Sequence, residues 1–329
     1  MAIGKASDFV VRNELFQTLF TETLAQNVAI LNQDGNGVIR LVTNDREGDY
    51  DKTRFFDRPS GGVSRRDTTD TSTSLTPSAL TQDEVIGVKL NRKYGPYQQT
   101  RDAFKKIGGT PEDLTMILAP NMAEEAMKGM VNDAVAALVA ALRNNAGVVY
   151  DYAATGSNKT IDHTALIRGR ALFGDAFGRV KGWGMNGAAF HKLVEAQLSV
   201  ASGNVGDFAV YEGQAGTLGL PAFVSDAPAF ATSGTPGEYH ILGLVPNAAV
   251  LTVSEAPYMA TDETILKENI LYAFQGEFAF NLELKGYKWD VANGGANPSD
   301  VALATGSNWD KVVANDKDTA GIVIDVDQS

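Results

Sequence analysis

Asn121-Met-Ala-Glu-Glu-Ala-Met-Lys-Gly-Met-Val-Asn-Asp-Ala-Val-Ala-Ala-Leu-Val-Ala-Ala-Leu-Arg-Asn-Asn145 repeats apolar side chains at intervals of three and four. Ala123, Met127, Met130, Val131, Ala134, Val135, Leu138, Val139 and Leu142 form the stripe, and Glu124, Glu125, Lys128 and Asp133 lie off it. That period predicts an amphipathic helix. Its 25 residues would run about 37 Å, long for a globular helix and suited to a spine that spans a domain. Upstream, Pro111 suits a first helical turn, with Glu112 and Asp113 near the positive end of the helix dipole. Pro120 is expected to kink or break this helix, with Asn121 as a fresh N-cap.

The chain around this helix has 329 residues and a formal charge of −12, from 28 Lys plus Arg against 40 Asp plus Glu. With 44% hydrophobic and 21% charged residues it is not a disordered chain. A chain of this length buries roughly 75% of its unfolded surface and needs no disulfide or metal to hold a core. The absence of cysteine excludes disulfides, thiolate zinc sites, iron–sulfur clusters and cysteine nucleophiles. The acidic balance argues against general binding to nucleic-acid phosphates. No signal peptide is expected at Met-Ala-Ile-Gly-Lys-Ala-Ser-Asp8, and no stretch is long and apolar enough for a membrane span. Asn158-Lys-Thr160 is a formal glycosylation sequon that reads as chance.

Toward the N-terminus, residues 8–31 predict a helical arm whose apolar positions, among them Phe9, Leu15, Phe16, Leu19 and Phe20, are too scattered for one face. Asp34-Gly-Asn-Gly37 is a turn signal and lacks the carboxylates of a calcium loop. Residues 50–95 form a distinct stretch. Asp67-Thr-Thr-Asp-Thr-Ser-Thr-Ser-Leu-Thr-Pro-Ser78 is almost all small hydroxyl residues, and composition alone favours a long surface loop. The flanks, Tyr50–Phe56 and Glu84–Leu90, carry strand patterns, with Val85, Gly87 and Lys89 on one side and Ile86, Val88 and Leu90 on the other. A long hairpin with a polar tip fits them. Two strands cannot make a core, so a neighbouring subunit is its natural support. Phe55 and Phe56 are costly to expose, and Arg65-Arg66 beside Asp67 and Asp70 suits an inter-subunit ion-pair patch, with a solvated loop as the plain alternative.

Toward the C-terminus the pattern is mixed α and β. Thr160 and Asp162 suit the cap of a helix through Phe177. Gly203–Glu212 and Pro221–Ser225 predict short strands, and His240–Val245 with Val250–Ser254 predict another pair. Residues 269–290 alternate clearly. Phe278, Phe280, Leu282 and Leu284 share one face and Glu277, Ala279, Asn281 and Glu283 the other, a half-buried strand. Ala320–Asp327 predicts a closing strand.

Gly182-Trp-Gly-Met-Asn-Gly187 matches the G-x-G-x-x-G fingerprint literally, with the helical stretch Ala188–Leu198 after it and Asp207 twenty residues beyond Gly187. A dinucleotide site needs a buried apolar strand leading into the first glycine. Here the lead-in is Gly178-Arg-Val-Lys181, after a stretch that reads as helix, and bulky Trp183 and Met185 sit where a pyrophosphate must approach. A Gly-rich strand and turn feeding a helix is the better reading. His163, His191 and His240 lack the spacing of a helix-borne metal site and read as surface or capping residues. No nucleophile elbow, Walker loop or zincin motif is present. No catalytic, cofactor or metal residue is therefore expected.

Order and local motifs together resemble the major capsid proteins of tailed bacteriophages with the Hong Kong 97-type fold. Lys285-Gly-Tyr-Lys-Trp289, Asn297-Pro-Ser-Asp300 and Leu303-Ala-Thr-Gly-Ser-Asn-Trp309 are similar to that family's Gly–aromatic strand end and Asn-Pro-Thr … Leu … Asn-Trp segment, with Ser299 where Thr is frequent. Gly216-Thr-Leu-Gly-Leu-Pro-Ala-Phe-Val-Ser-Asp226 resembles its Gly … Leu-Gly … Pro-Val … Ser-Asp strand. The resemblance implies an α+β fold with an N-terminal arm over 1–49, an E-loop hairpin over 50–95, and a P-domain with the spine helix over 96–160. An A-domain over 161–267 follows, and returning P-domain strands with the C-terminal segment occupy 268–329.

It further implies a non-enzymatic coat protein that self-assembles as pentamers and hexamers into the icosahedral shell around double-stranded DNA, without sequence-specific binding. The implied partners are further copies, a portal, and possible scaffolding or decoration proteins. The implied place is the virion capsid, assembled in the host cytoplasm. No cleavable scaffolding segment is expected, because the arm begins within the first residues. Lys52 and Lys89 flank the hairpin, but neither aligns with the crosslinking Lys of some members. An encapsulin-type compartment with the same fold is the alternative, and a nucleotide-binding enzyme built on Gly182–Gly187 is the reading from another class.

Overall fold

The computed structural model describes residues 22–23, 37–43, 48–56, 65–74, 77, 82–100, 111–156, 158–201, 216–233, 237–264 and 268–328. The predicted arm helix apart from 22–23, the strand at 203–212 and Asp207 lie outside the described residues.

The chain opens with strands β1 (Ile39–Thr43), β2 (Tyr50–Phe56) and β3 (Gln82–Thr100). The spine helix α1 (Pro111–Arg143) follows, then β4 (Val149–Asp151), α2 (His163–Ala171), β5 (Gly182–Met185), α3 (Gly187–Ala201), β6 (Ala222–Val224) and β7 (Ala231–Thr232). Next come β8 (Glu238–Leu244), β9 (Ala249–Thr264), β10 (Leu271–Leu284) and β11 (Tyr287–Trp289). Two short helices, α4 (Val291–Gly294) and α5 (Asp300–Leu303), precede β12 (Trp309–Lys311) and β13 (Gly321–Asp327). A long five-stranded sheet runs in the order β1-β9-β10-β3-β2. A second sheet runs β4-β13-β8-β5-β6, with β7 on β8, and β11 pairs with β12.

The helix is longer than its stripe suggested and continues through Pro120 without a break. Asn121 is therefore an interior, exposed residue and not an N-cap. The missing N–H and the ring cost about 3 kcal/mol in a helix interior, which tertiary packing along the following turns outweighs. At the other end the helix stops at Arg143, and Asn145 caps a 3-10 turn instead by accepting from the Gly147 amide at 3.2 Å. Ala119, Met122, Ala126, Ala137 and Ala141 are buried in addition to the predicted stripe, so the helix is covered on most of its circumference.

The long strand of the C-terminal half ends at Leu284, where Gly286 turns the chain with φ +80 into β11. Phe278, Phe280, Leu282 and Leu284 are buried as the alternation predicts. Ala279 and Asn281 on the opposite face are buried too, so this part of the strand is covered on both faces and is not half-buried.

β8 and β9, expected as a pair, do not pair with each other. β8 lies between β13 and β5, while β9 lies between β1 and β10. The helix expected through Phe177 stops at Ala171 and resumes as a 3-10 turn over Gly174–Arg179, while Asp162 caps it by accepting from the Ala165 amide at 2.7 Å. Where β8 packs between β5 and β13, Gly243 is required. A Cβ there would meet Ile322 at 2.7 Å and the Trp183 ring at 2.9 Å.

Leu138 sits with no exposed surface in the middle of the spine helix. Leu138→Ala should destabilise the folded chain by about 2–5 kcal/mol in chemical denaturation, whereas the same change at exposed Lys128 should stay within about 0.5 kcal/mol.

Candidate functional site

β3 carries two different jobs along one strand. From Thr100 to Val88 it pairs antiparallel with β10, and from Val88 to Gln82 it pairs antiparallel with β2. Among the described residues Val88 is the one rung common to both ladders, facing Tyr50 on one side and Leu282 on the other. Outward from Ile86 the hairpin has only its own two strands as ladder partners among the described residues. The Lys52–Glu84 contact across it, at 3.4 Å between exposed groups, adds little.

The tip, residues 65–74, is exposed throughout. Its two aspartates turn inward to the tip's own hydroxyls and amides. Asp67 accepts from the Thr69 amide at 2.9 Å and its hydroxyl at 2.7 Å. Asp70 accepts from the Ser72 amide at 2.8 Å, the Thr73 amide at 3.1 Å and both hydroxyls. Hydroxyl and amide donors hold both carboxyls below the usual aspartate range. Arg65 and Arg66 are exposed at the same tip. Phe55 and Phe56 lie opposite Asp83 and Gln82 in the ladder, and their side chains fall outside the described set.

The root of the hairpin is tied to the spine helix. Arg92 on β3 donates through Nε and Nη2 to Asp133 Oδ2 at 3.0 and 2.7 Å, and its Nη1 lies 2.8 Å from Asp300 Oδ1. The Asn91 amide donates to Asn297 Oδ1 at 3.0 Å, while Ser299 Oγ caps α5 by accepting from the Ala302 amide at 3.2 Å. Asn297-Pro-Ser-Asp300 is thus a clamp on the hairpin root. Trp289 and Trp309 meet edge to face at 4.9 Å behind it, and their Nε1–H groups donate to the carbonyls of Gly295 and Leu303. Burial raises Asp133 above the usual carboxylate range despite the opposing charge of Arg92. On Arg92 burial acts downward, but the attraction of Asp133 and Asp300 outweighs it and the net shift is upward.

The glycine fingerprint dissolves into structure. Gly182–Met185 is β5 itself, buried along its length, with a 3-10 turn rather than a strand before it. Trp183 donates its indole N–H to the Thr217 carbonyl at 3.0 Å. The first turn of α3 already holds its acceptors. Asp226 Oδ1 takes the Gly187 amide at 3.2 Å and Asn186 Oδ1 takes the Ala188 amide at 2.8 Å. The carboxylate sits where a phosphate would have to bind.

The histidines divide. His163 opens α2 and His191 is exposed. His240 contradicts its expected surface role, because it is 1% exposed in the second sheet. Glu238 and His240 are two apart on β8 and so share a face, and Asp325 on β13 faces His240 in register. His240 Nδ1 lies 2.6 Å from Asp325 Oδ1 and Nε2 lies 3.4 Å from Arg143 Nη1. The Nδ1–H tautomer satisfies both contacts, donating to the carboxylate and accepting from the guanidinium. Arg143, at the end of α1, also reaches Asp325 Oδ2 at 3.3 Å and Glu238 Oε2 at 3.6 Å. Positions 143, 238, 240 and 325 are too dispersed for any motif. The available signals were Glu-x-His within a strand and two aspartates alternating through the apolar closing strand.

A family model described as Gp13-like, major capsid protein 13-like, matches residues 8–323. Among solved structures, one from Mycobacterium phage Adephagia is similar at TM-score 0.52 and 11% identity, covering 86% of this chain and 87% of that one. The Cyanophage Pam1 capsid asymmetric unit is similar at TM-score 0.50 and 13% identity, covering 76% of this chain and 85% of that one. None of the curated proteins matches. The fold is the Hong Kong 97 type, as the sequence resemblance implied. These matches lend no support to a nucleotide-binding enzyme or an encapsulin-type compartment.

Asp133 gives a prediction with a definite sign. Its folded-state pKa is raised, so its contribution to stability is fully present below the ordinary aspartate range and is lost as pH rises through the folded value. The stability of the wild type relative to Asp133→Asn should therefore be most favourable in acid and decline with rising pH. Denaturation midpoints measured across that range check it, and a difference that grows with pH contradicts it.

Proposed function

The chain belongs to the Gp13-like major capsid protein family and is a structural coat protein of a phage head, and we propose that it closes an icosahedral shell around double-stranded DNA as pentamers and hexamers. One structural observation supports this reading above the others. Among the described residues, 52–56 and 82–86 form a ladder of two strands only, which is marginal by itself. In a shell each copy has neighbours on all sides, and an edge that would be a liability on a free protein becomes a contact. The hairpin over 50–95 lies across an adjacent copy, with Phe55 and Phe56 covered there and Arg65 and Arg66 meeting its carboxylates. The arm over 1–49 straps another copy. The body comprises the P-domain segments 96–160 and 268–329 and the A-domain segment 161–267.

The family supports a structural role and calls for no catalytic residue. A portal and separate scaffolding or decoration proteins complete the assembly, which takes place in the host cytoplasm before the virion is released. The charge of −12 keeps the shell from gripping the genome it contains, which favours both packing and release.

Purified protein viewed by negative-stain electron microscopy should show closed shells. A compact monomer or small oligomer under every assembly condition overturns the proposal. Deletion of residues 60–80 should abolish shells while leaving a monomer with unchanged circular dichroism. Normal shells from that deletion remove the hairpin from its assigned role.

A further inference from the structure

We infer that Glu238, His240 and Asp325 form a binding site for a divalent transition-metal cation, with Arg143 as a built-in positive group that the metal displaces. The inference is independent of shell formation. Each of the three residues offers a ligand atom, and these atoms lie within 4.8 Å of one another. An imidazole with two carboxylates is a donor set suited to zinc or manganese, in contrast to the all-oxygen sets of calcium and magnesium. Metal bonds of about 2.0–2.2 Å place donors about 3.4 Å apart, so the outermost donors close by roughly an ångström, while the His240 Nδ1–Asp325 Oδ1 pair at 2.6 Å opens to admit the ion and Nδ1 releases its proton to solvent. Two strands that are hydrogen-bonded in register supply the donors, so little ordering is left for binding to impose.

Three observations set this cluster apart from an ordinary ion pair. First, its imidazole and one of its carboxylates are buried. The side chains of His240 and Asp325 are 1% and 5% exposed, and Glu238 closes the outer side at 33%. Second, the guanidinium is loosely seated. Its contacts with Asp325, His240 and Glu238 run from 3.3 to 3.6 Å, whereas charge-assisted hydrogen bonds settle near 2.7–2.9 Å. Arg92 in the same molecule reaches its carboxylates at 2.7 and 2.8 Å. Two carboxylates against one guanidinium also leave the group one negative charge in excess when His240 is neutral. Third, the arginine has somewhere to go. A cavity of about 410 Å³ lies alongside, lined by Arg143 and His240 with Asn144, Thr232 and Ser307. A cation seated on the three donors would repel Arg143 into that space.

The test titrates the full chain with zinc chloride by isothermal calorimetry, with bound metal counted by elemental analysis after dialysis. The wild type should bind one ion saturably. His240→Ala should weaken binding by roughly tenfold or more, and Arg143→Gln should tighten it by a similar factor. A His163→Ala/His191→Ala double variant removes the other imidazoles and should bind as the wild type does. No saturable binding by the wild type overturns the inference. So does equal affinity in His240→Ala, or an Arg143→Gln affinity no higher than wild type. Should His240→Ala fail to fold, X-ray absorption of the zinc-loaded wild type decides. One imidazole with carboxylate oxygens supports the site, and a shell of oxygens alone overturns it.

Discussion

A helix that is apolar around most of its circumference has to be covered along its whole length, and this requirement organises the molecule. No single sheet can wrap α1. The long sheet supplies β9 and β10, the second sheet supplies β13, and the segment after β11 supplies α5, the following 3-10 turn and β12. Alanine at 119, 123, 126, 134, 137, 140 and 141 keeps the helix slim, so these layers approach closely. Gly306 shows how closely. A Cβ at that position would lie 2.8 Å from the Ala140 carbonyl. The covering area, at roughly 25 cal/mol per Å² of apolar surface, stabilises both sheets through one shared element.

Apolar packing alone would leave the rotation of the helix weakly specified. Two arginine-centred clusters restrict it, the Arg92 one tightly and the Arg143 one loosely. Asp133 receives Arg92 from the long sheet, and Arg143 reaches Glu238, His240 and Asp325 in the second sheet. The two helix positions are ten residues, about 15 Å, apart. Buried ion pairs contribute little net stability once desolvation is counted, yet breaking one by removing a single partner is costly. Their effect is on alternatives. A helix rotated or slid by one turn keeps most of its apolar contacts but strands a charge at each cluster.

Periodicity made the elements legible and pairing illegible. The stripe in 121–142 and the alternation in 278–284 each record one face meeting a core, so the elements that bear them could be read from the chain. The G-x-G-x-x-G match could be rejected from its lead-in alone, because a strand must precede the first glycine and here the glycines are the strand. β8 and β9 looked like neighbours since only Val245–Ala248 separates them. Each has better partners elsewhere, β13 some eighty residues on for β8, and for β9 the next strand β10 together with β1 some two hundred residues back, and local pattern carries no record of that competition. The histidine cluster was hidden for the same reason. Its register is set by strand pairing between positions 238–240 and 325. Pro120 failed as a break because a local cost was weighed without the tertiary packing that exceeds it.

The hairpin depends on this same hierarchy. Two strands need outside support, and here the support is divided. Inward of Val88, β3 belongs to a five-stranded sheet and is held by Arg92 and by the Asn297–Asp300 clamp. Outward of Ile86 its only ladder partner among the described residues is β2. The tip's carboxylates are then satisfied locally, with Asp67 and Asp70 bound to hydroxyls of the tip itself. Root and tip are thereby separated chemically along one unbroken strand. A load on the outer ladder reaches α1 through five residues, Val88 to Arg92, without crossing a loop. A coat protein built this way can hold its own fold rigid while leaving the outer ladder for whatever lies beside it.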